Sequence, residues 1–246
     1  MKKPDKYADL KEMITQIFKE NKGRYGYRRI TMELHNRGYI VNHKLVRKLM
    51  KICGLKCKIR RKKYRSYKGE IGKIADNILN RNFKADKPLR KLVTDVTEFK
   101  VKDRKVYLSP ILDLYNGEVI SYNISLHPDF QQTMDMMDKA FAIIPDNSGA
   151  ILHSDQGWQY QMKRYQQRLK EKGIIQSMSR KGNCLDNSVM ENFFSLLKQE
   201  IYYGVKYQSV QELIEALEEY IDWYNNKRIK EKLNGLSPVK YRKQAI

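Results

Sequence analysis

The sequence predicts an α/β protein, a mixed five-stranded sheet flanked by helices, with an all-helical region in front of it. Three observations predict this. Before residue 56, apolar residues recur at three- and four-residue spacing, whereas after residue 88 β-branched and aromatic runs take over. Positive charge divides the same way: residues 1–91 hold 28 Lys and Arg against 8 Asp and Glu, and residues 92–246 hold 21 against 20.

In the first region, residues 5–20 place Tyr7, Leu10, Ile14 and Ile17 on one helical face, and Asn21 to Gly23 end the pattern. A second helix over 27–36 turns Ile30 and Leu34 inward. A third over 42–52 begins at Asn42, a good capping residue, with Leu45, Val46 and Leu49 as its stripe. Three short helices in this order point to a helix-turn-helix unit. Lys44, Arg47, Lys48 and Lys51 avoid the apolar stripe of the third helix, which makes them candidates to meet DNA phosphates or base edges.

Residues 56–68 are a basic arm in which 8 of 13 residues are Lys or Arg, among them Arg60, Arg61, Lys62 and Lys63, with Tyr64 and Tyr67 interleaved for stacking on bases. The expected division is a helical helix-turn-helix-like region over 1–55, a basic linker or arm over 56–88, a core over 89–204, and a C-terminal helix and tail over 205–246 packed on that core.

Past Pro88, strands are expected over 91–99, 105–115 and 118–126, the last two joined at Asn116-Gly117, a strong hairpin signal. The order then becomes helix (132–144), strand (150–154), helix (159–172), strand (174–178), loop (179–186) and helix (187–203). Three meandering strands followed by this alternation give the mixed sheet. A last amphipathic helix over 209–226 buries Leu213, Ile214, Leu217, Tyr220, Ile221 and Tyr224, and the tail after it reads as packed loop with a short turn.

Excess positive charge asks for a polyanion. Acidic lipid is excluded by the lack of a long apolar run, a signal-peptide core or a lipidation motif, so nucleic acid is the expected partner and a membrane is not. Three cysteines, Cys53, Cys57 and Cys184, argue for a reducing cytoplasm over a disulfide framework. His35, His43, Cys53 and Cys57 come in an order that resembles a zinc module, but their spacing is poor and no zinc is expected.

The chemistry is expected from three acids. Asp95 falls inside the first strand, where a lone carboxylate is costly and needs a compensating charge. Asp155 follows the short strand AILHS at its carboxyl end, where ligands gather in open α/β sheets. Glu191, with 35 residues between it and Asp155, lies at the edge of a helix face formed by Met190, Phe193, Phe194 and Leu197. Three hard oxygen ligands suit two Mg²⁺ or Mn²⁺ ions, which serve phosphodiester chemistry. Asp113 also lies in a strand, and its simpler role is structural, beside the hairpin.

Lys198, seven residues after Glu191, is carried about 10 Å along the same helix, where DNA leaving the acids would pass. Arg180 and Lys181, in the loop before that helix, are candidate phosphate contacts; Asn187 or Ser188 is the expected cap that aims Glu191. Trp158 and Tyr160, just after Asp155, are candidates for stacking on a displaced end base.

The segments TDVTEF, HSDQGWQY, SMSRKGNCLDNSVMENFFSLLKQE and YIDWYNNKRIKEKLNGLSPVKYR resemble the second-reading-frame transposases of a large bacterial insertion-sequence family related to retroviral integrases. The resemblance runs from about Tyr25 to Arg242. It implies a ribonuclease-H-like core with Asp95, Asp155 and Glu191 as catalytic metal ligands, and Lys198 on the transposon end. The stretch RYGYRRI, with Arg28 and Arg29, is similar to the start of the family's helix-turn-helix region. Lys230 is one departure, standing where many relatives have His.

The implied activity is metal-dependent cleavage of transposon ends followed by 3′-OH attack on a second phosphodiester, without ATP. The implied partners are double-stranded DNA, both terminal inverted repeats and target, further copies of the chain in a synaptic complex, and an upstream-frame helix-turn-helix segment fused or associated; the expected location is the bacterial cytoplasm, at the nucleoid. Two alternatives stay open here: a nuclease on the same core that only hydrolyses, and a DNA-binding regulator whose core is inactive.

Overall fold

The computed structural model describes residues 5–57, 75–180 and 183–244. Three helices come first, α1 (Ala8–Glu20), α2 (Tyr27–Asn36) and α3 (His43–Ile52). Asn42 caps α3 as its chemistry predicts, its side chain accepting from the Lys44 amide at 2.8 Å. The expected stripes face inward: Ile14, Ile17, Ile30, Leu34, Val46 and Leu49 are buried together.

The sheet is mixed, with six strands: β1 (Lys91–Thr94), β2 (Thr97–Val101), β3 (Arg104–Asp113), β4 (Val119–Ser125), β5 (Ile151–Ser154) and β6 (Ile175–Met178). The strand expected over 91–99 is two, β1 and β2, both antiparallel to β3 and in one continuous register, Thr94 facing Ile111 and Thr97 facing Leu108. Opposite the gap stands Pro110, which has no amide N–H to give a ladder. At the gap, Val96 N–H turns to the Asp95 carboxylate at 2.7 Å. Asp95 therefore sits in a break between strands, not within one.

Strand β1 continues into parallel pairing with β5, and β5 with β6, so the sheet's open carboxyl edge is built by β1, β5 and β6. Helices α4 (Phe130–Phe141), α5 (Trp158–Gln161), α6 (Lys163–Lys172) and α7 (Ser188–Leu197) complete the alternation, and a π-helical turn, Lys198–Tyr202, follows α7. One core joins α1–α3 to β2, β3, α7 and the C-terminal segment; a second, lined by Met134, Met136, Met137, Tyr160 and Tyr165, fills the other side of the sheet.

The C-terminal helix α8 (Val210–Asn226) buries Leu213, Leu217, Tyr220, Ile221 and Tyr224 as expected, while Ile214 is only half-buried. The tail corrects the sequence reading: instead of a loop it ends in α9 (Pro238–Gln244), with proline in the first turn, where its missing N–H costs nothing. This segment also receives the N-terminal helices. Tyr25 Oη donates to Lys227 O at 3.1 Å, Ile229 N donates to Tyr25 Oη at 3.0 Å, and Asn36 Nδ2 donates to Gly235 O at 3.1 Å. Beneath that contact lies a buried ion pair, Arg228 with Glu200 at 2.7 Å, which Tyr220 Oη joins at 2.9 Å.

Candidate active site

Register fixes the first two acids. Lys91, Leu92 and Val93 pair in parallel with Ile151, Leu152 and His153, so two residues further on Asp95 and Asp155 leave neighbouring strands at the same level. Each is anchored by a main-chain amide: Asp95 Oδ1 accepts from Val96, and Asp155 Oδ1 accepts from Gly157 at 2.9 Å. Both are half-buried. Burial and the charge of Asp155, with a further push from Glu191, drive the Asp95 carboxyl well above the usual carboxylate range, while Lys198 pulls the other way. Burial also raises Asp155.

Glu191 comes from the first turn of α7, which packs against β1. Lys198 opens the π-turn at the far end of the same helix, with Nζ 5.1 Å from the Phe99 ring centre. Burial lowers its pKa, and Glu98 and Asp95 oppose that. The expected continuous helix over 187–203 thus changes geometry at Lys198, and π-turns are frequent at functional sites. Among the described residues, no group of three or more His, Cys, Asp and Glu side chains is drawn closely enough to hold a metal ion. The three acids feel one another without forming a closed cage.

Asn187 departs from its expected role. Its side chain makes no capping bond to α7; Nδ2 reaches across to Asp95 Oδ2 at 3.2 Å. Asp186, beside it and fully buried, was not singled out in the sequence. It accepts from Arg180 Nε at 2.9 Å and Arg81 Nε at 2.8 Å, and from Asn77 Nδ2 at 2.8 Å. Those guanidinium groups hold its carboxyl far below the ordinary range. His153 is buried between Ser177 Oγ at 2.8 Å and Ser179 Oγ at 3.1 Å, and burial pushes its pKa down to about 4, so it is a neutral part of the scaffold.

Known proteins share this architecture. The HTH-like domain family matches residues 4–63, and two families described as Integrase core domain match residues 85–184 and 191–246. Over 244 residues the chain is 54% identical to the putative transposase InsK for insertion sequence element IS150 of Escherichia coli K12, covering 99% of this chain and 86% of that protein. The chain belongs to the second-reading-frame transposases of bacterial insertion sequences. It is similar also to an uncharacterized transposase-like protein of Haemophilus influenzae (53% identity, 84% of this chain and 95% of that one) and to the transposase for insertion sequence element IS904 of Lactococcus lactis (36%, 95% and 93%). Its fold resembles a chain of the simian T-cell lymphotropic virus intasome, with a TM-score of 0.54 at 14% identity, over 93% of this chain and 74% of that one.

The protein is thus a DNA transposase with an integrase core, which makes it a polynucleotidyl transferase, and these relatives favour neither a purely hydrolytic nuclease nor a regulator with an inactive core. No described helix of the transposase is long and apolar enough to cross a membrane.

Several expected DNA contacts of the transposase fall in unexpected places. Lys44, Arg47 and Lys48 lie exposed on α3, and Arg28 is exposed on α2. Arg29 instead turns inward: its Nε donates to Ile229 O at 3.2 Å, in the contact between the two ends of the chain. Arg180 is engaged by Asp186. Arg60, Arg61, Lys62, Lys63 and Lys181 lie outside the described residues. Trp158 is 54% exposed, but Tyr160 is fully buried against Tyr165, 5.5 Å between ring centres, and is not available for stacking on a base. Asp113 is structural, its carboxylate accepting from the Leu89 and Tyr115 amides at 2.8 and 2.9 Å.

Proposed function

We propose that this transposase cleaves the ends of its element and joins them to target DNA through Asp95, Asp155 and Glu191, acting as ligands of two divalent ions, Mg²⁺ or Mn²⁺. The observation that carries the reading is the placement of Asp95 and Asp155 at one level beyond paired strand ends, at the sheet's carboxyl edge, with Glu191 and Lys198 close enough to act on Asp95. The donor set fits such ions: three hard carboxylate oxygens, half-buried, whose mutual repulsion a cation relieves. Two ions held there would supply activation of the attacking oxygen and stabilisation of the leaving oxygen in an in-line displacement.

The protein's own part is to bind and orient. A cleft of about 750 Å³ separates the N-terminal helices from α7; Arg28, Arg47, Lys51 and Lys56 line one side, and Asn192 and Ser195 of α7 with Gln199 of the π-turn the other. Its charge suits a phosphate backbone, and it adjoins the helix that carries Glu191 and Lys198, so DNA held by α2 and α3 reaches the acids along α7. Lys198 then meets the terminal phosphates. Exposed Lys44 and Lys48 extend this basic surface, and the arm with Arg60, Arg61, Lys62 and Lys63, together with Lys181, adds further phosphate contacts.

Two element ends must be cut together, which calls for several copies of the chain in a synaptic complex on terminal repeats and target, with an upstream-frame helix-turn-helix segment fused or associated, acting at the bacterial nucleoid. We assign the division of labour as 1–55 for DNA binding, 56–88 as the arm, 89–204 for catalysis and 205–246 as support. The deciding experiment replaces Glu191 by Gln. Cleavage of a labelled transposon end falls by about 10²-fold or more while DNA binding persists; retained cleavage would remove Glu191 from the site.

A further inference from the structure

We infer that Asn187 is a positioning residue of the carboxylate site: its amide N–H fixes Asp95, and its amide oxygen is reserved for a water in the hydration shell of a cation bound there. This rests on the metal-site reading above. Asparagine just ahead of a helix ordinarily spends its side-chain oxygen on the helix's own free amides. Asn187 precedes α7 and makes no such bond. Its Nδ2 donates to Asp95 Oδ2 at 3.2 Å, across 92 positions of sequence.

That leaves Oδ1. The residue is 5% exposed, and Oδ1 is fully buried with no hydrogen-bond partner. An amide oxygen left so forfeits its hydrogen bond to water without replacement, a penalty that calls for a donor arriving later. Val96 N–H holds the other oxygen of Asp95. One carboxylate is therefore gripped at both oxygens, by its own backbone and by an amide from the segment leading into α7. Such outer contacts orient ligands, and losing them typically weakens metal affinity by about 10- to 100-fold.

Asp186 makes the placement rigid. It immediately precedes Asn187 and is pinned by Arg81 at 2.8 Å and by Arg180 at 2.9 Å, so Asn187 starts from a fixed backbone. Its reach to Asp95 is set before any ligand binds.

The test uses the full chain with Mn²⁺ as the probe, measured by titration calorimetry and by electron paramagnetic resonance of free Mn²⁺. Asn187→Ser separates the two roles open to this position, because serine caps a helix well but is too short to reach Asp95. The expected result is Mn²⁺ affinity about tenfold weaker than in the parent, an unchanged thermal midpoint, and a lower kcat for end cleavage at unchanged KM for DNA. Asn187→Gln, which keeps the amide, recovers part of the affinity. Parent-like Mn²⁺ affinity in Asn187→Ser would overturn the inference, as would a loss of affinity that only tracks a fallen midpoint. Should Asn187→Ser not fold, Asn187→Gln and Asn187→Ala decide together: Mn²⁺ affinity of the Gln variant above that of a folded Ala variant supports the role of the amide, and affinity equal to or below it overturns the inference. A parent chain that binds no Mn²⁺ at all sinks the metal-site reading and takes this inference with it.

Discussion

Asp95 and Asp155 leave adjacent parallel strands at one level, because each lies two residues beyond the last pair of the β1–β5 ladder, Val93 with His153. Neighbouring strands lie about 4.8 Å apart, so two carboxylates so placed repel unless a cation or a proton intervenes. The rise in the Asp95 pKa is that repulsion added to burial. A sheet edge that gathers like charges is poor for stability and useful for holding cations.

Asp186 should carry an acid-dependent share of stability. Its carboxyl is held far below the ordinary value by Arg180, then Arg81, so the folded state keeps it ionised where the unfolded chain would protonate it. The contribution is fully present above about pH 4 and is lost as pH falls below that. Asp186→Asn should cost about 2 kcal/mol at pH 7, less than a fully enclosed pair because both arginines are half exposed. Urea unfolding of parent and variant at pH 7 and pH 3.5 measures it; a gap that does not shrink in acid contradicts the assignment.

Lys230 should act in the opposite direction of pH. Its ammonium is enclosed by Tyr224 Oη at 2.9 Å and the carbonyls of Gly117 and Asn116 at 3.1 and 3.2 Å, and burial, with the charges of Arg228 and Arg29, pushes its pKa down to about 7. Between pH 7 and about 10 the unfolded chain holds a proton that the folded chain has released, so this residue's contribution to stability rises with pH, by at most about 1.4 kcal/mol per unit. Lys230→Met should remove that rise. Denaturation midpoints at pH 6.5, 8 and 9.5 that stay parallel in parent and variant would show the lysine is not the cause.

The basic cleft predicts a salt signature. Replacing Arg47 and Lys51 by Gln together should weaken binding to DNA of any sequence and lower the slope of log affinity against log salt by about 2, one for each lost phosphate contact. Fluorescence anisotropy over a salt series reads both quantities. Identical slopes would take these two side chains out of the DNA path.

The helices of the first region were legible because their apolar stripes are local: Ile30 and Leu34, or Val46 and Leu49, announce their face within one or two turns. The positions of Asp95 and Asp155 at strand termini were half legible. Hydrophobic runs locate the strands, but the break at Asp95 depends on Pro110, fifteen residues later on the facing strand. Arg29 looked like a free cation since nothing nearby in sequence betrays its partner, the carbonyl of Ile229, 200 positions away. Asn187 read as a cap because that is what asparagine does before a helix when no distant carboxylate competes for it. Its neighbour Asp186 carried a faint signal, an acid beside a loop with Arg180, which pairing rules alone did not raise above background. The final helix is not legible in the sequence although Ser237-Pro238 is a serviceable start, because seven residues are too few to show a stripe.

The embrace between Tyr25 and residues 227–229 also sets a schedule for synthesis. Helices α1 to α3 are translated well before residues 227–229, the surface on which they settle, so they wait through the intervening core for their seat. A nascent fragment that stops short of residues 227–229 offers those helices no such seat.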